Sequence, residues 1–340
     1  MQSHSVALYS TLLGVLLTLT QVLAEPVEHA EKIGEPVARG VFAYLREPSG
    51  VIALDAQTLM VIEDEASRAL WRLRLNAGDS PASAGFHESS QPAAKGFIQR
   101  QLLAPLDDLE GIARLSANRF FIIGSHENAS RGKHPSREKL VLLTRSGDDI
   151  ISASMRRDLF DQLISQYPQL AKTVAGSKKG KRRALNIEAL AFDRKREQLL
   201  IGLRTPLSKS DDHAIVISLA NATDYLAGEQ PEFSDSMHFV DLDGDGIRAM
   251  AYDDLSDQIL IVSKPESGGK NRSTLWTLAA TMNMKPVRYK SYDKNLFKDV
   301  EGLAPVNDDV LFVRDNGGKT KKGDDQWFIL ERSQLRLDYP

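Results

Sequence analysis

A short pattern recurs five times in this chain of 340 residues: an acidic or small polar residue, a small residue, an apolar–Ala pair, a gap, and an apolar run that ends in charge. The copies start about 50 to 80 residues apart, and each apolar run has the length of a strand, as in propeller blades. The pattern predicts an all-β fold, a β-propeller of five four-stranded blades. The copies are SGVIALDAQTLMVIEDE from Ser49, LEGIARLSANRFFIIGSHE from Leu109, IEALAFDRKREQLLIGLR from Ile187, IRAMAYDDLSDQILIVSK from Ile247 and VEGLAPVNDDVLFVRDN from Val300.

Apolar runs and breakers divide the repeats into strands. In the first repeat the predicted strands are GVIAL, TLMVIE, ALWRLRL and FIQRQLL, the last after a loop at 76–96. The fifth repeat lacks an outer strand after QWFILER, which starts at Gln326. We predict that PVARGVFAYL from Pro36 supplies it, because this would join the two ends of the chain and remove exposed edges.

The first 24 residues have the composition of an export signal. The segment from Ala7 to Leu23 is mostly apolar, and Val22 and Ala24 stand where signal peptidase favours small residues. We predict cleavage there, with an uncleaved anchor as the alternative, and a periplasmic or secreted propeller domain over residues 25–340. No later segment is long and apolar enough to span a bilayer.

Charge and cysteine content exclude several classes of function. The net charge of -3 favours no general affinity for nucleic acid, and the absence of cysteine excludes disulfides, thiolate nucleophiles and zinc–thiolate sites. A partner must therefore be recognised locally, as a small anionic ligand or as a protein.

One insertion, at about residues 152–186, interrupts the repeats. RRDLFDQLISQYPQL places apolar residues at steps of four, which predicts an amphipathic helix from Arg156 to about Leu170. The basic stretch SKKGKRR follows, and it is either a solvated loop or an anion-binding loop.

The residue that opens the first strand of each repeat is a candidate functional residue. In a propeller the innermost strands line the central channel, so these five residues would form one ring. Carboxylates gathered at a channel mouth repel one another and require a cation, raised pKa values or a nearby basic group. We predict metal ligands at Ser49, Glu110, Glu188 and Glu301, with Arg248 as the basic member of the ring.

The second strand of each repeat runs antiparallel to the first and ends at the same face. A carboxylate centre surrounded by cations suits a divalent metal that holds a phosphoryl or carboxylate group. We predict His126, Arg248 and Arg204 as catalytic residues, His126 as general acid, and Lys264, Arg314 and Asp315 as ligand-binding residues. The alternative is that these polar residues lock neighbouring blades through hydrogen bonds and bind no ligand.

Four motifs carry a family resemblance: LEGIARLSANRFFIIGSHE, NIEALAFDRKREQLLIGLRTPL, GIRAMAYDD and VEGLAPV. Together they resemble a family of bacterial, often exported proteins known as a domain of unknown function, which implies a propeller and no particular activity. The architecture is more distantly similar to calcium-activated nucleotidases, the apyrases, in which Ser and Glu residues from the blades surround a central calcium. That similarity implies calcium at Ser49, Glu110, Glu188 and Glu301, whereas Arg248 departs from it.

Two functions remain open. The first is an exported propeller that binds a small anionic ligand at the Glu/Arg ring, with metal-assisted hydrolysis of a phosphate ester as its enzymatic form. The second is a non-catalytic propeller that holds a protein or an envelope polymer, using the helical insertion and the SKKGKRR loop.

Overall fold

The computed structural model describes residues 30–64, 70–74, 86–90, 107–127, 136–175, 185–265, 273–315 and 325–335. Within them the strands form five sheets around a central channel, which confirms the five-bladed propeller. The innermost strands of successive blades contact one another, and the last contacts the first, so the ring is closed. The predicted export signal and the SKKGKRR stretch lie outside the described residues.

The blades follow the chain order of the repeats. Two short strands come first, β1 (Glu31–Ile33) and β2 (Ala38–Gly40). Blade one contains β3 (Pro48–Ala53), β4 (Thr58–Glu63), β5 (Leu70–Arg74) and β6 (His87–Ser90). Blade two contains β7 (Leu109–Arg114), β8 (Arg119–Gly124), β9 (Leu140–Ser146) and β10 (Asp149–Arg156). Blade three contains β11 (Asn186–Asp193), β12 (Gln198–Thr205), β13 (Ala214–Leu219) and β14 (His238–Val240). Blade four contains β15 (Asp245–Asp253), β16 (Gln258–Pro265), β17 (Thr274–Ala279) and β18 (Val287–Ser291). Blade five contains β19 (Val300–Val306), β20 (Asp309–Arg314) and β21 (Trp327–Glu331).

The apolar core lies between the blades. Successive residues of a strand point to opposite faces of its sheet, and in β4 this sends Leu59 and Val61 toward blade five but Met60 and Ile62 toward blade two. Five such interfaces bury both faces of the blades. This explains why the second strands read as continuous apolar runs instead of alternating with polar residues.

The two ends of the chain meet in blade five. Strand β2 pairs antiparallel with β21, opposite Trp327, Phe328 and Ile329, so the prediction that the segment from Pro36 closes the ring is confirmed. Gln326 fixes this closure, because its buried amide accepts a hydrogen bond from Phe42 N at 3.0 Å and donates to Arg46 O at 3.3 Å. Strand β1 adds a further, parallel strand outside β18 of blade four.

Two sequence predictions about secondary structure need correction. The outer strand of blade one is β6, which falls inside the predicted loop, and FIQRQLL lies outside the described residues. The predicted helix from Arg156 is two helices, α1 (Leu159–Gln166) and α2 (Pro168–Ala175), because Tyr167 precedes a proline and leaves the helical conformation. Arg156 itself ends β10.

The helices lie on the outside of the channel. Both α1 and α2 pack into the interface between blades two and three, and a third helix, α3 (Ala222–Ala227), joins them between β13 and β14. Among the described residues, no helix has the length and apolarity needed to cross a membrane.

Candidate functional site at the channel mouth

A β-bulge places each of the five ring residues. The pairing of the first with the second strand skips one position in every blade, and an unpaired bulge residue re-aims its side chain. Small residues follow the bulges because the inner strands converge there: a Cβ on Gly302 would lie 2.8 Å from Gly50 Cα. The skipped residues are Ser49, Glu110, Glu188, Arg248 and Glu301.

Arg248 holds the centre of this ring. Its Nη1 lies 2.5 Å from Glu188 Oε2 and 4.0 Å from Glu110 Oε2, and its Nη2 contacts Glu301. Burial works to lower the pKa of the guanidinium, but the three carboxylates together raise it well above its ordinary value. Arg248 therefore stays charged and neutralises part of the ring.

Glu188 is the best compensated of the three carboxylates. Its side chain is 1% exposed, and its Oε1 accepts hydrogen bonds from Arg204 Nη1 and Asn186 Nδ2, each at 2.7 Å. The predicted catalytic residue Arg204 is thus engaged by an acidic side chain of its own blade.

Glu110 is the least compensated carboxylate. Its ion pair with Arg248 is the longest of the three, and burial, followed by repulsion from Glu188, raises its pKa well above the ordinary value. Burial also raises the pKa of Glu301, to about 7. The ring is therefore short of positive charge, most of all at Glu110.

Glu110 also belongs to a second acidic group. One ligand oxygen from each of Asp64, Asp108 and Glu110 lies within 4.8 Å of the others, and no other such group of metal-ligating side chains occurs in the described part of the chain. Asp64 follows β4 and Asp108 precedes β7, so the group spans blades one and two. Asp108 is held in place by Arg137 Nη1 at 3.1 Å and by the Ser125 hydroxyl.

The four residues of the predicted calcium set have protein partners in the structure, and the three glutamates among them converge on Arg248. Ser49 is buried and its hydroxyl donates to Ile62 O within its own blade at 3.4 Å. Glu188 and Glu301 form ion pairs with Arg248. The gap that remains between the inner strands beside them has a volume of about 10 Å³, which is the lower limit for holding one water molecule. Within the described ranges, the carboxylates of Asp64, Asp108 and Glu110 are the ones that lie close enough together to share a cation.

His126 is completely buried at the end of blade two. Its Nδ1 donates to Gly124 O at 2.8 Å, and burial lowers its pKa to about 4. The imidazole is therefore neutral near pH 7 and carries no proton to donate from Nε2. The structure places it away from solvent, whereas a general acid must reach its substrate.

The remaining predicted ligand-binding residues have protein partners. Lys264 Nζ lies 4.0 Å from Asp299 Oδ1, and Asp315 is joined to Asp299 by a backbone hydrogen bond. Arg314 donates to Leu296 O at 2.5 Å and covers the Phe328 ring at 4.6 Å. Arg314 thus acts within its blade, while Lys264 faces the ring and lowers the pKa of Glu301.

The opposite mouth of the channel contains a cavity of about 280 Å³. The first strands of all five blades end there, and their last residues and following turns line it. Its walls are apolar and its rim carries Arg114, Arg194, Asp254 and the pair Arg332–Asp253. The two mouths therefore differ: one is filled by an ionic ring and the other is open.

The known proteins that this chain resembles match its motifs and its fold. Residues 144–301 match the family described as "Protein of unknown function (DUF3616)". This segment runs from β9 to the first residues of β19 and includes Glu188, Arg204, Arg248, Lys264 and Glu301. The resemblance to a family of unknown function is confirmed over the DUF3616 segment. No curated protein matches the chain.

Several solved structures resemble the chain at low similarity. The major Malassezia sympodialis allergen Mala s 1 is 10% identical, with 84% of this chain and 92% of the other covered and a TM-score of 0.41. The calcium-binding protein regucalcin from Agrobacterium tumefaciens is 12% identical, with 89% and 95% covered and a TM-score of 0.41. Kuenenia stuttgartiensis hydrazine synthase is 7% identical, with 86% and 64% covered and a TM-score of 0.36. Similarity at this level carries no information about ligand or activity.

Sequence reasoning missed two sets of residues. Asp108 lies outside the DUF3616 segment in a pair of aspartates just before the second repeat, and only its distance from Asp64 and Glu110 marks it. The rim of the open cavity comes from turns after the first strands, DRKR from Asp193 and DDLS from Asp253, whose charges could have been compared between repeats.

Proposed function

We propose that this propeller binds a divalent cation at its channel mouth and holds a small anionic ligand through that cation. The observation that carries the proposal is the convergence of Asp64, Asp108 and Glu110 within 4.8 Å. Three carboxylates so close repel one another, and a bound cation would remove that cost. An all-oxygen donor set suits calcium, which accepts six to eight oxygen ligands, water included.

The raised pKa of Glu110 supports a cation at this position. Arg248 is drawn to Glu188 and Glu301, so its charge reaches Glu110 only across 4.0 Å. A divalent cation between Glu110 and the two aspartates would favour the ionised form of Glu110, so binding would be accompanied by release of its proton. Calcium binding should therefore strengthen as pH rises.

An anion would reach the cation from the solvent side. Lys264 lies at the same mouth and is 17% exposed, so it can add a charge contact to a phosphoryl or carboxylate oxygen. The cation supplies Lewis acidity when bound. Among the described residues we assign no group the role of general acid, since His126 is buried and neutral; the proposal is therefore ligand binding, and hydrolysis of a phosphate ester is its enzymatic extension. We also propose a periplasmic or secreted location, from the export-signal pattern in residues 1–24.

Calorimetric titration with calcium tests the proposal. The protein from Glu25 onward should bind one calcium ion saturably, and Asp108→Asn or Glu110→Gln should weaken binding at least about tenfold, since each removes a charged ligand. Asp224→Asn is the matched control, because Asp224 is exposed on α3 in blade three. No calcium binding by the wild type, or equal binding by both site variants, would refute the cation site.

Inorganic phosphate and p-nitrophenyl phosphate, titrated with and without calcium, then test the anion. Binding that requires calcium supports the proposal, and release of p-nitrophenol that is lost in Glu110→Gln adds hydrolysis. Calcium binding without any effect on phosphate binding would leave a structural cation and favour the non-catalytic interaction propeller.

A further inference from the structure

The open cavity at the other mouth lies apart from the proposed cation, and its lining shares no residue with Asp64, Asp108 and Glu110. It is enclosed by the inner strands of all five blades and ends blindly, because the inner strands leave only about 10 Å³ between it and the Arg248 ring. Its volume of about 280 Å³ is close to the lower end of the range, roughly 300–1,000 Å³, that is usual for small-ligand pockets. A ligand must enter and leave by the same mouth, and it must be small.

The walls and the rim have different chemistry. Val51, Ile112, Leu190, Met250 and Leu303, one from each blade, supply apolar walls. The rim has three arginines. A molecule that fills the cavity therefore needs an apolar body against the walls and a polar end beside the charged rim. This division is typical of sites for amphipathic small molecules.

Two of the polar pairs on the rim are already complete. Arg332 and Asp253 form a buried two-point ion pair, with Nη1 2.7 Å from Oδ1, and Asp253 also accepts from Ser256 N at 3.2 Å. The Tyr252 hydroxyl donates to Asp257 at 3.0 Å. These contacts hold the turn after β15 in shape.

Arg114 and Arg194 are different, because they share one carboxylate. Arg114 Nη2 lies 3.4 Å from Asp254 Oδ2, and Arg194 Nη2 contacts the same oxygen. Arg114 is anchored by donation from Nη1 to Ala53 O at 3.0 Å. Two guanidinium groups from neighbouring blades thus converge on a single carboxylate that belongs to the turn of a third blade.

The charge between the two arginines is incompletely balanced. Burial lowers the pKa of both, and repulsion from Arg114 helps to lower that of Arg194 to about 10. Asp55, a further rim carboxylate, offsets part of the effect of burial on Arg114, and it also accepts from Gln57 N at 2.9 Å and lies 3.8 Å from Arg145 of blade two. A second carboxylate placed between Arg114 and Arg194 would compensate the remaining positive charge.

We propose that the cavity binds a small monocarboxylate with a short apolar body, whose carboxylate lies between Arg114 and Arg194 in the position that Asp254 now shares. Asp254 is the protein's own carboxylate in this anion site and competes with the ligand. The apolar tail extends toward the blind end, where its transfer from water favours binding. The two arginines select for the carboxylate of the ligand, and the depth of the cavity limits the length of its apolar tail.

Sodium hexanoate is the probe, with hexan-1-ol and sodium acetate as the compounds that lack the charge or the tail. Titration calorimetry of the protein from Glu25 onward should show saturable hexanoate binding and at least about tenfold weaker binding of both comparison compounds. Equal binding of hexan-1-ol would refute the anion site. No hexanoate binding up to roughly 10 mM, weaker than ordinary specific binding, would refute the cavity as a ligand site.

Variants with opposite expected effects separate recognition from loss of fold. Arg194→Gln should weaken hexanoate binding at least about tenfold, whereas Asp254→Asn, which removes the internal competitor, should strengthen it about threefold or more. Misfolding cannot produce tighter binding, so Asp254→Asn decides the matter even if Arg194→Gln fails to fold. Unchanged or weaker binding by Asp254→Asn would refute the competition.

Two further variants fix the location. Arg288→Gln, a matched change on β18 outside the cavity lining, should bind hexanoate like the wild type. Asp108→Asn should also leave hexanoate binding unchanged while it weakens calcium binding, so the two sites can fail or succeed separately. Loss of hexanoate binding in Asp108→Asn with retention in Arg194→Gln would overturn the assignment to this cavity.

Discussion

The Arg248 guanidinium of blade four lies 2.5 Å from the Glu188 carboxylate of blade three and also contacts Glu301 of blade five. One cation thereby links three consecutive blades at the axis of the propeller. Because Glu188 and Glu301 are almost completely buried, their charges depend on this partner. Arg248 is consequently a structural residue whether or not the mouth also binds a ligand.

Replacing Arg248 by methionine should therefore destabilise the fold strongly. The change leaves two buried carboxylates without their shared cation, and breaking buried ion pairs typically costs about 3–5 kcal/mol. Urea unfolding at pH 7, followed by circular dichroism, measures the loss. Arg288→Met is the control and should cost less than about 1 kcal/mol, since that arginine is 34% exposed.

The added changes Glu188→Gln and Glu301→Gln should restore part of the stability lost in Arg248→Met, because they remove the stranded charges. A small loss in Arg248→Met, or no recovery in the triple variant, would contradict the neutralising role of Arg248.

The stability of the fold should depend on the titration of Glu301. Burial raises the pKa of Glu301 from 4.5 to about 7, so the folded protein favours its protonated form. This contribution is fully present below pH 4.5 and is lost as pH rises through about 7, with a slope of at most ~1.4 kcal/mol per pH unit. Unfolding free energies at several pH values between 4.5 and 8 should fall less steeply in Glu301→Gln than in the wild type. Parallel curves would contradict the assignment.

His126 should remain neutral far below the ordinary pKa of histidine. Burial lowers its pKa from 6.5 to about 4, so the unfolded chain takes up a proton in this range before the folded protein does. The stability contributed by neutral His126 is full above pH 6.5 and is lost as pH falls through about 4. NMR titration of the imidazole Cε1–H groups measures this directly, and His126→Gln assigns the signal. A resonance that shifts near pH 6.5 would show that the side chain reaches solvent.

Gln326 should be essential to the closure between the chain ends. Its amide is completely buried, accepts a hydrogen bond from Phe42 N and donates to Leu45 O and Arg46 O. Gln326→Leu leaves these backbone groups without partners, at a cost of about 2–4 kcal/mol in unfolding free energy. Gln57→Leu is the control, because Gln57 is exposed in the turn between β3 and β4. Equal urea midpoints for the two variants would mean that strand β2 closes the ring without Gln326.

Much of the fold could be predicted because it is repeated. Five copies of one pattern, each with strand-length apolar runs, identify the blades, and the missing strand of the last blade points to the segment from Pro36. The outer strand β6 could not be predicted, since outer strands make few contacts and its sequence, His87–Ser90, has no apolar run. The helix break at Tyr167 could have been predicted, because a residue that precedes proline disfavours the helical conformation. The apolar spacing at steps of four continues across Tyr167 and suggested one unbroken helix.

The candidate site was predictable only in part. Superposing the repeats is enough to find the ring, because equivalent residues of a closed propeller meet at the axis. The comparison of the repeats did not reveal which charged side chains of the ring neutralise one another. Side-chain distances within the ring are needed to see that Arg204 and Arg248 both form ion pairs with Glu188.

The sequence by itself determined the number of blades, the closing strand and the identity of the ring residues, because periodic hydrophobicity and strand length are local properties of the chain. Only the tertiary structure decided that the ring mouth is filled by ion pairs, that Asp64 and Asp108 join Glu110, and that the open cavity lies at the other mouth. Those facts depend on bulges and turns from different blades that converge in space, and electrostatic compensation depends on distances of a few ångströms between residues that lie far apart in the chain.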